Sequence, residues 1–146
     1  MKMNKEGIKE ALKSLNPYVK NEAETIAWSE GVKAYQNKQV GVFITAKKDG
    51  SYTQVKSVDF GSDGASKFFA RVSTTHNDNI TMEVRTGSID GKLLGTVKVP
   101  RTGGDNRWEI VSIDIEKITG VHDLFFVFKG RRNADVMSFD YWRFAR

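Results

Sequence analysis

Two glutamates stand one residue apart in the stretch "YVKNEAETIAW" (residues 18–28), and an aspartate sits among aromatic residues in "VMSFDYWRFAR" (residues 136–146). In an extended chain residues i and i+2 point to the same side, so Glu22 and Glu24 present two carboxylates to one face. Like charges placed so closely repel each other unless water or a cation lies between them. In the later stretch, alternation puts Asp140, Trp142 and Phe144 on one face and Phe139, Tyr141 and Arg143 on the other. If the tryptophan points inward, so does the aspartate, and an ionised carboxylate among apolar rings is costly unless it is paired or metal-bound. The first and last strands of a sandwich often lie side by side. Glu22, Glu24 and Asp140 could then converge with backbone carbonyls into a set of hard oxygen ligands suited to calcium. The residues alone leave two alternatives open. The glutamates could line a solvated edge strand, and the aspartate could be satisfied by an arginine or by backbone N–H groups.

Other chemistry finds little support. The chain has 18 acidic residues, so a pair of carboxyl groups flanking a glycosidic bond can always be imagined, yet none sits in a motif that demands it. His76 lies in a polar turn and His122 at the entry to an apolar run, with no nucleophile or metal-ligand spacing around either. "TGGD" (residues 102–105) lacks the lysine and the following helix of a phosphate loop. These features speak against an enzyme. The net charge of +5 is a mild bias, and the basic pairs Lys47-Lys48 and Arg131-Arg132 are short and separated. They form no basic stripe with interleaved aromatics, so no nucleic-acid partner is expected. No apolar run is long enough to span a bilayer, and no membrane partner is expected. No hydrophobic export segment follows the first methionine, although a piece of a longer secreted protein would look the same. The absence of cysteine excludes disulfides and thiolate metal sites.

The elements that must position these side chains are strands. "ITMEVR" (80–85) and "GTVKVP" (95–100) alternate, and "DLFFVFKG" (123–130) is apolar on both faces, as a central strand covered on both sides would be. Turn chemistry recurs about every ten residues, at "KKDGS", "FGSDGAS", "HNDN", "SIDGK", "RTGGDN" and "KITG". One domain of 146 residues with this rhythm predicts an all-β antiparallel sandwich. Residues 4–15 carry Ile8, Ala11, Leu12 and Leu15 at helical spacing. Residues 1–16 are therefore expected to be a linker or peripheral segment with a short helix, and residues 17–146 the sandwich. Asn16-Pro17 marks the boundary.

The blocks "EAETIAWSEGVK", "VKSVDFG", "VRTGSIDGKLLGTVKVPRTGG", "ITGVHDLFFVFKG" and "FDYWRF" occur in the order and spacing of the family 6 carbohydrate-binding modules. The chain resembles most the modules appended to glycoside hydrolase family 43 arabinofuranosidases and xylosidases of bacteria, from about residue 17 to the end. The resemblance implies a β-jelly roll that binds polysaccharide and does no catalysis. It implies a structural calcium held by Glu22, Glu24 and Asp140. It also implies a role in holding an attached glycoside hydrolase on plant cell-wall polysaccharide, xylan or arabinoxylan first, as part of a secreted or cell-surface enzyme. A structural appendage that docks on its catalytic domain and binds sugar weakly or not at all is the alternative.

Members of the family bind sugar in a loop cleft where a tryptophan and a tyrosine grip a ring from both faces and an asparagine reads its hydroxyls. This chain departs from that pattern. Asp105, followed by Asn106 and Arg107, replaces the tryptophan after the "TGG" turn, Phe43 falls near the tyrosine position, and Ser138 replaces the asparagine. Trp108 matches a framework aromatic three residues on. Loss of one gripping aromatic costs about 2 kcal/mol, or roughly thirtyfold in affinity. Phe43, Asp105, Asn106 and Ser138 are thus the cleft candidates, with Arg107 and Asn133 able to add polar contacts; a plain solvated loop is the alternative. Some members use a second site on the concave face, to which Tyr52 and Glu83 correspond. Tyr52 could equally be an ordinary surface residue, and Glu83 could simply pair with Arg85.

Overall fold

The computed structural model describes residues 14–75, 79–102, 107–130 and 135–146. Turns divide this chain into strands, numbered in order: β1 Asn21–Glu22, β2 Trp28–Glu30, β3 Val32–Asn37, β4 Gly41–Ala46, β5 Ser51–Asp59, β6 Ala65–Ser73, β7 Thr81–Thr86, β8 Lys92–Lys98, β9 Glu109–Ile118, β10 Val121–Lys129 and β11 Met137–Ala145. There is no helix among the described residues. Two antiparallel sheets form the sandwich. One has the order β3-β4-β11-β6-β9, with β1 also on β11, and the other the order β2-β5-β10-β7-β8. Apart from the β3-β4 and β7-β8 hairpins, sheet neighbours are non-consecutive in sequence, the crossover connectivity of the jelly roll that the family resemblance implies.

The core follows from period-2 alternation. Val55, Met82, Val84, Leu124, Phe126 and Phe128 point inward from one sheet, and Ile44, Phe68, Ala70, Val72, Phe139, Trp142 and Phe144 from the other. Aromatic rings carry the contact between layers. Phe126 lies 5.7 Å from Phe68, 5.3 Å from Phe139 and 5.4 Å from Trp142, centroid to centroid. Each such pair adds about 0.5–1.5 kcal/mol beyond its buried area.

The alternation in β11 breaks once. Its register on β6 shifts between Phe139 and Tyr141, a β-bulge at Asp140. Phe139, expected to face outward with Tyr141, is 1% exposed and packs inward opposite Val72 and Ile44. The extra residue in the bulge lets Phe139, Asp140 and Trp142 all lie buried. The expectation for β10 is met in part: Phe125 and Val127 are buried, but on the outer side of their sheet and outside the core cluster.

Residues 14–18 form a strap across one end of both sheets. Leu15 makes a parallel bridge to Val58, its N–H donating to the Ser57 carbonyl at 2.8 Å and its carbonyl accepting from Asp59 at 3.0 Å. Pro17 accepts from Phe144 at 2.8 Å, and the Tyr18 hydroxyl donates to the Phe60 carbonyl. The helix expected over 4–15 lies outside the described residues as far as residue 13, and Leu15 is extended rather than helical.

Candidate functional site

Glu22, Glu24 and Asp140 lie near enough to act on one another's charge. β1 pairs with β11 so that Glu22 stands opposite Tyr141, and the Ala23 N–H donates to the Asp140 carbonyl at 2.9 Å. Asp140 is 2% exposed. Its Oδ2 lies 3.7 Å from Arg71 Nη1, while Oδ1 is buried with no hydrogen-bond partner, as is Oε1 of Glu24. Burial raises the Asp140 carboxyl to about 6; Arg71 opposes the rise, and Glu22 and Glu24 add to it. Glu24 is raised as well, by burial first, with Glu22 adding to the rise. Lys20 reaches Glu22 at 3.6 Å from the solvent side. Among the described residues no three acidic, histidine or cysteine side chains are arranged closely enough to hold a metal ion as they stand. The trio offers two buried, unsatisfied carboxylate oxygens and mutual repulsion. A buried acceptor without a donor is expensive, and a hard divalent cation is what an all-oxygen set of this kind suits.

A second feature lies over the outer face of the six-stranded sheet, where β3, β4 and β11 meet. A cavity of about 350 Å³ is lined by both predicted residues described there, Phe43 and Ser138, together with Tyr35, Thr45, Thr74 and Asp135 among others. The register explains the convergence. Thr45 pairs with Ser138 and Ser138 with Ser73, which sets a row of hydroxyls across three strands. The Thr45 and Ser138 hydroxyls lie 2.8 Å apart. Thr74 donates to the Val136 carbonyl at 2.9 Å, so this wall is held from behind. Aromatic carbon beside a row of hydroxyls suits a pyranose ring, whose faces carry axial C–H groups and whose rim carries the hydroxyls. Asp105, Asn106 and Asn133 lie outside the described residues.

The other predicted surface is the outer face of the five-stranded sheet. Tyr52 and Glu83 sit in one cross-strand row, on either side of Val127. Glu83 is engaged there by Arg85, whose Nε lies 2.9 Å from its Oε1, and Arg85 also donates to the Gly91 carbonyl at 2.7 Å. The adjacent row runs Trp28, Gln54, Phe125, Arg85. Trp28 is 57% exposed at its edge.

Three aromatic residues were missed or read differently from the sequence. Trp28 adjoins the Tyr52 face. Tyr35 lines the cavity directly opposite Phe43 in the β3–β4 hairpin. Trp108 is half-buried and meets Phe43 edge-on at 5.1 Å, so the framework aromatic also backs the cleft. The one local sign of the hairpin that places Tyr35 is the turn "QNKQVG", since the strand before it has no apolar period. Asn37 accepts from the N–H groups of Gln39 and Val40 at 2.9 Å each, the side-chain turn that closes the hairpin and sets its register.

The sequence profile of the family described as "Carbohydrate binding module (family 6)" matches residues 22–146. An arabinoxylan arabinofuranohydrolase of Bacillus subtilis is 39% identical over 140 residues, which cover 92% of this chain and 27% of that protein. The chain spans about a quarter of the length of the curated relatives it matches. Among solved structures, a family 6 module of Clostridium stercorarium in complex with cellobiose superposes with a TM-score of 0.81 at 31% identity, covering 91% of this chain and 97% of that one. A family 6 module of Clostridium cellulolyticum in complex with xylose gives 0.84 at 28% identity, covering 90% of this chain and 100% of that one.

Proposed function

The chain belongs to family 6 of the carbohydrate-binding modules, and on that premise we propose that it holds an attached glycoside hydrolase on xylan or arabinoxylan, binding the polysaccharide in the cavity over β3, β4 and β11. The observation that carries this reading is that cavity itself, with the Phe43 ring beside the paired hydroxyls of Thr45 and Ser138. The arabinoxylan-directed relative and the xylose complex of a similar module support the choice of sugar. The parent protein works outside the cell, where its polymer substrate is. Binding requires no catalytic group, and none is assigned to this chain.

Glu22, Glu24 and Asp140 hold a structural calcium ion in this reading. The unsatisfied Oε1 of Glu24 and Oδ1 of Asp140 support it. The ion would supply positive charge to the trio and tie β1 to β11 in the folded state. Tyr52 and Glu83 form a second, shallower surface for the same polymer.

Affinity electrophoresis through xylan, arabinoxylan, β-glucan and laminarin tests the function. Retardation in the xylan gels is expected. Free migration in all four would overturn the adhesive role and favour a module that only docks on its catalytic domain.

A further inference from the structure

Tyr35 is the more exposed of the two aromatic side chains that line the cavity, and its ring is fixed on several sides. Phe43 lies opposite it in register, with ring centroids 6.0 Å apart and planes at 27°. Lys47 Nζ donates to the Tyr35 hydroxyl at 2.9 Å. Lys47 is held in turn by Asp135, at 3.0 Å, and Asp135 also lines the cavity. Lys33 Nζ stands 5.6 Å from the ring centroid. Phe43, by contrast, is clamped between Tyr35 and the edge of Trp108. A ring held in place before the ligand arrives loses little freedom on stacking.

We propose that Tyr35 is the stacking platform of this cleft, in the role that the sequence leaves vacant by placing Asp105 after the "TGG" turn, with Lys47 and Asp135 as positioning residues. The inference rests on reading the cavity as the sugar site. It also fixes the ligand class. Among the described lining residues the one charged side chain is Asp135, which is acidic and paired with Lys47; the polar remainder consists of hydroxyls and amides. Such a wall takes an uncharged sugar ring and disfavours a uronate.

The test uses the whole chain, with a neutral xylo-oligosaccharide and one bearing methylglucuronic acid as probes, titrated by calorimetry and by NMR. Phe43→Ala and Ser138→Ala report on the cleft; Tyr35→Ala, Tyr35→Phe and Lys47→Met report on the inference. Tyr35→Ala is expected to weaken neutral binding about tenfold or more, the scale of one lost stacking contact. Tyr35→Phe and Lys47→Met both keep the ring and break the hydrogen bond that holds it, so each gives a similar loss smaller than that of Tyr35→Ala. In the unsubstituted protein the Tyr35 ring protons shift on sugar addition. If Phe43→Ala and Ser138→Ala weaken binding while Tyr35→Ala does not, the platform role is wrong and the cleft stands. If none of the cleft substitutions changes binding, the cleft reading fails and takes this inference with it. Unmoved Tyr35 resonances at saturating sugar overturn the platform role even where Tyr35→Ala fails to fold. Tighter binding of the charged probe overturns the ligand class.

Discussion

Arg71 approaches the Asp140 carboxylate to 3.7 Å, yet it serves only one of the two oxygens, and the other stays buried without a donor. The ion pair therefore does not settle the charge at the bulge in β11. A partly compensated buried carboxylate costs stability rather than adding it.

Calcium should complete that site. Chelation with EDTA is expected to lower the melting temperature of the native chain. At a calcium level about 100 times the dissociation constant, the ion adds roughly 2.7 kcal/mol. For a domain of this size that is several degrees. Asp140→Asn should abolish the response to calcium while raising the melting temperature of the calcium-free protein, because the amide carries no charge to bury. A calcium-independent melt of the native chain would remove the metal assignment.

The pH dependence without calcium follows from the same group. Asp140 is raised from 3.8 to about 6. The folded chain then binds more protons than the unfolded one between these values, so this contribution to stability falls as pH rises through that window. Glu24 acts in the same direction. Added calcium competes with protons, so its stabilising effect should grow from pH 4 to pH 7. Thermal melts in EDTA and in calcium across that range should diverge; parallel curves would show that these carboxyls neither titrate as described nor meet the ion.

Ser138→Ala removes the partner of the buried Thr45 hydroxyl, 2.8 Å away. A stability loss of about 1 kcal/mol is expected, typical for one such hydrogen bond. Sugar affinity should fall several-fold at the same time, which calorimetry on a xylo-oligosaccharide measures. Affinity that holds while stability drops would make the hydroxyl row structural only.

On the opposite sheet, Tyr52→Ala should weaken adsorption to insoluble xylan. A full stacking contact is worth about 2 kcal/mol, roughly thirtyfold. Unchanged adsorption would confine the binding to one surface.

Phe126→Ala should cost about 3–5 kcal/mol in a denaturant melt, because its ring touches Phe68, Phe139 and Trp142 in the opposite sheet and the neighbours cannot close the gap. A loss under about 1 kcal/mol would mean a core far looser than this packing describes.

The sandwich was legible because alternation and turn chemistry are local signals. The pairing of β1 with β11, which brings the Glu22 and Glu24 segment alongside Asp140, was legible because chain ends commonly pair in such folds. The orientation of Phe139 was not, since a bulge inserts one residue without a mark in the alternation around it. Tyr35 was hidden for a different reason. Its position depends on the register of a hairpin whose first strand, Val32–Asn37, is mostly exposed and therefore shows no apolar period. Trp108 reads as framework alone in the sequence, because spacing cannot show that a backing residue also touches the wall in front of it.

The strap ties both ends of the described chain to one pole, where Arg146 stacks on Tyr18 at 3.9 Å. The cleft lies at the opposite end of the nine-residue strand β11, roughly 30 Å away at about 3.3 Å per residue. Leu15 and Arg146, near the two ends of the described residues, thus stand at the pole away from the cleft. A tug from the polymer would run lengthwise along β11 and load its flanking ladders in shear, many bonds at once, instead of unzipping them singly. On the proposed reading of the cleft, the length of β11 is what separates the bound polymer from the strap.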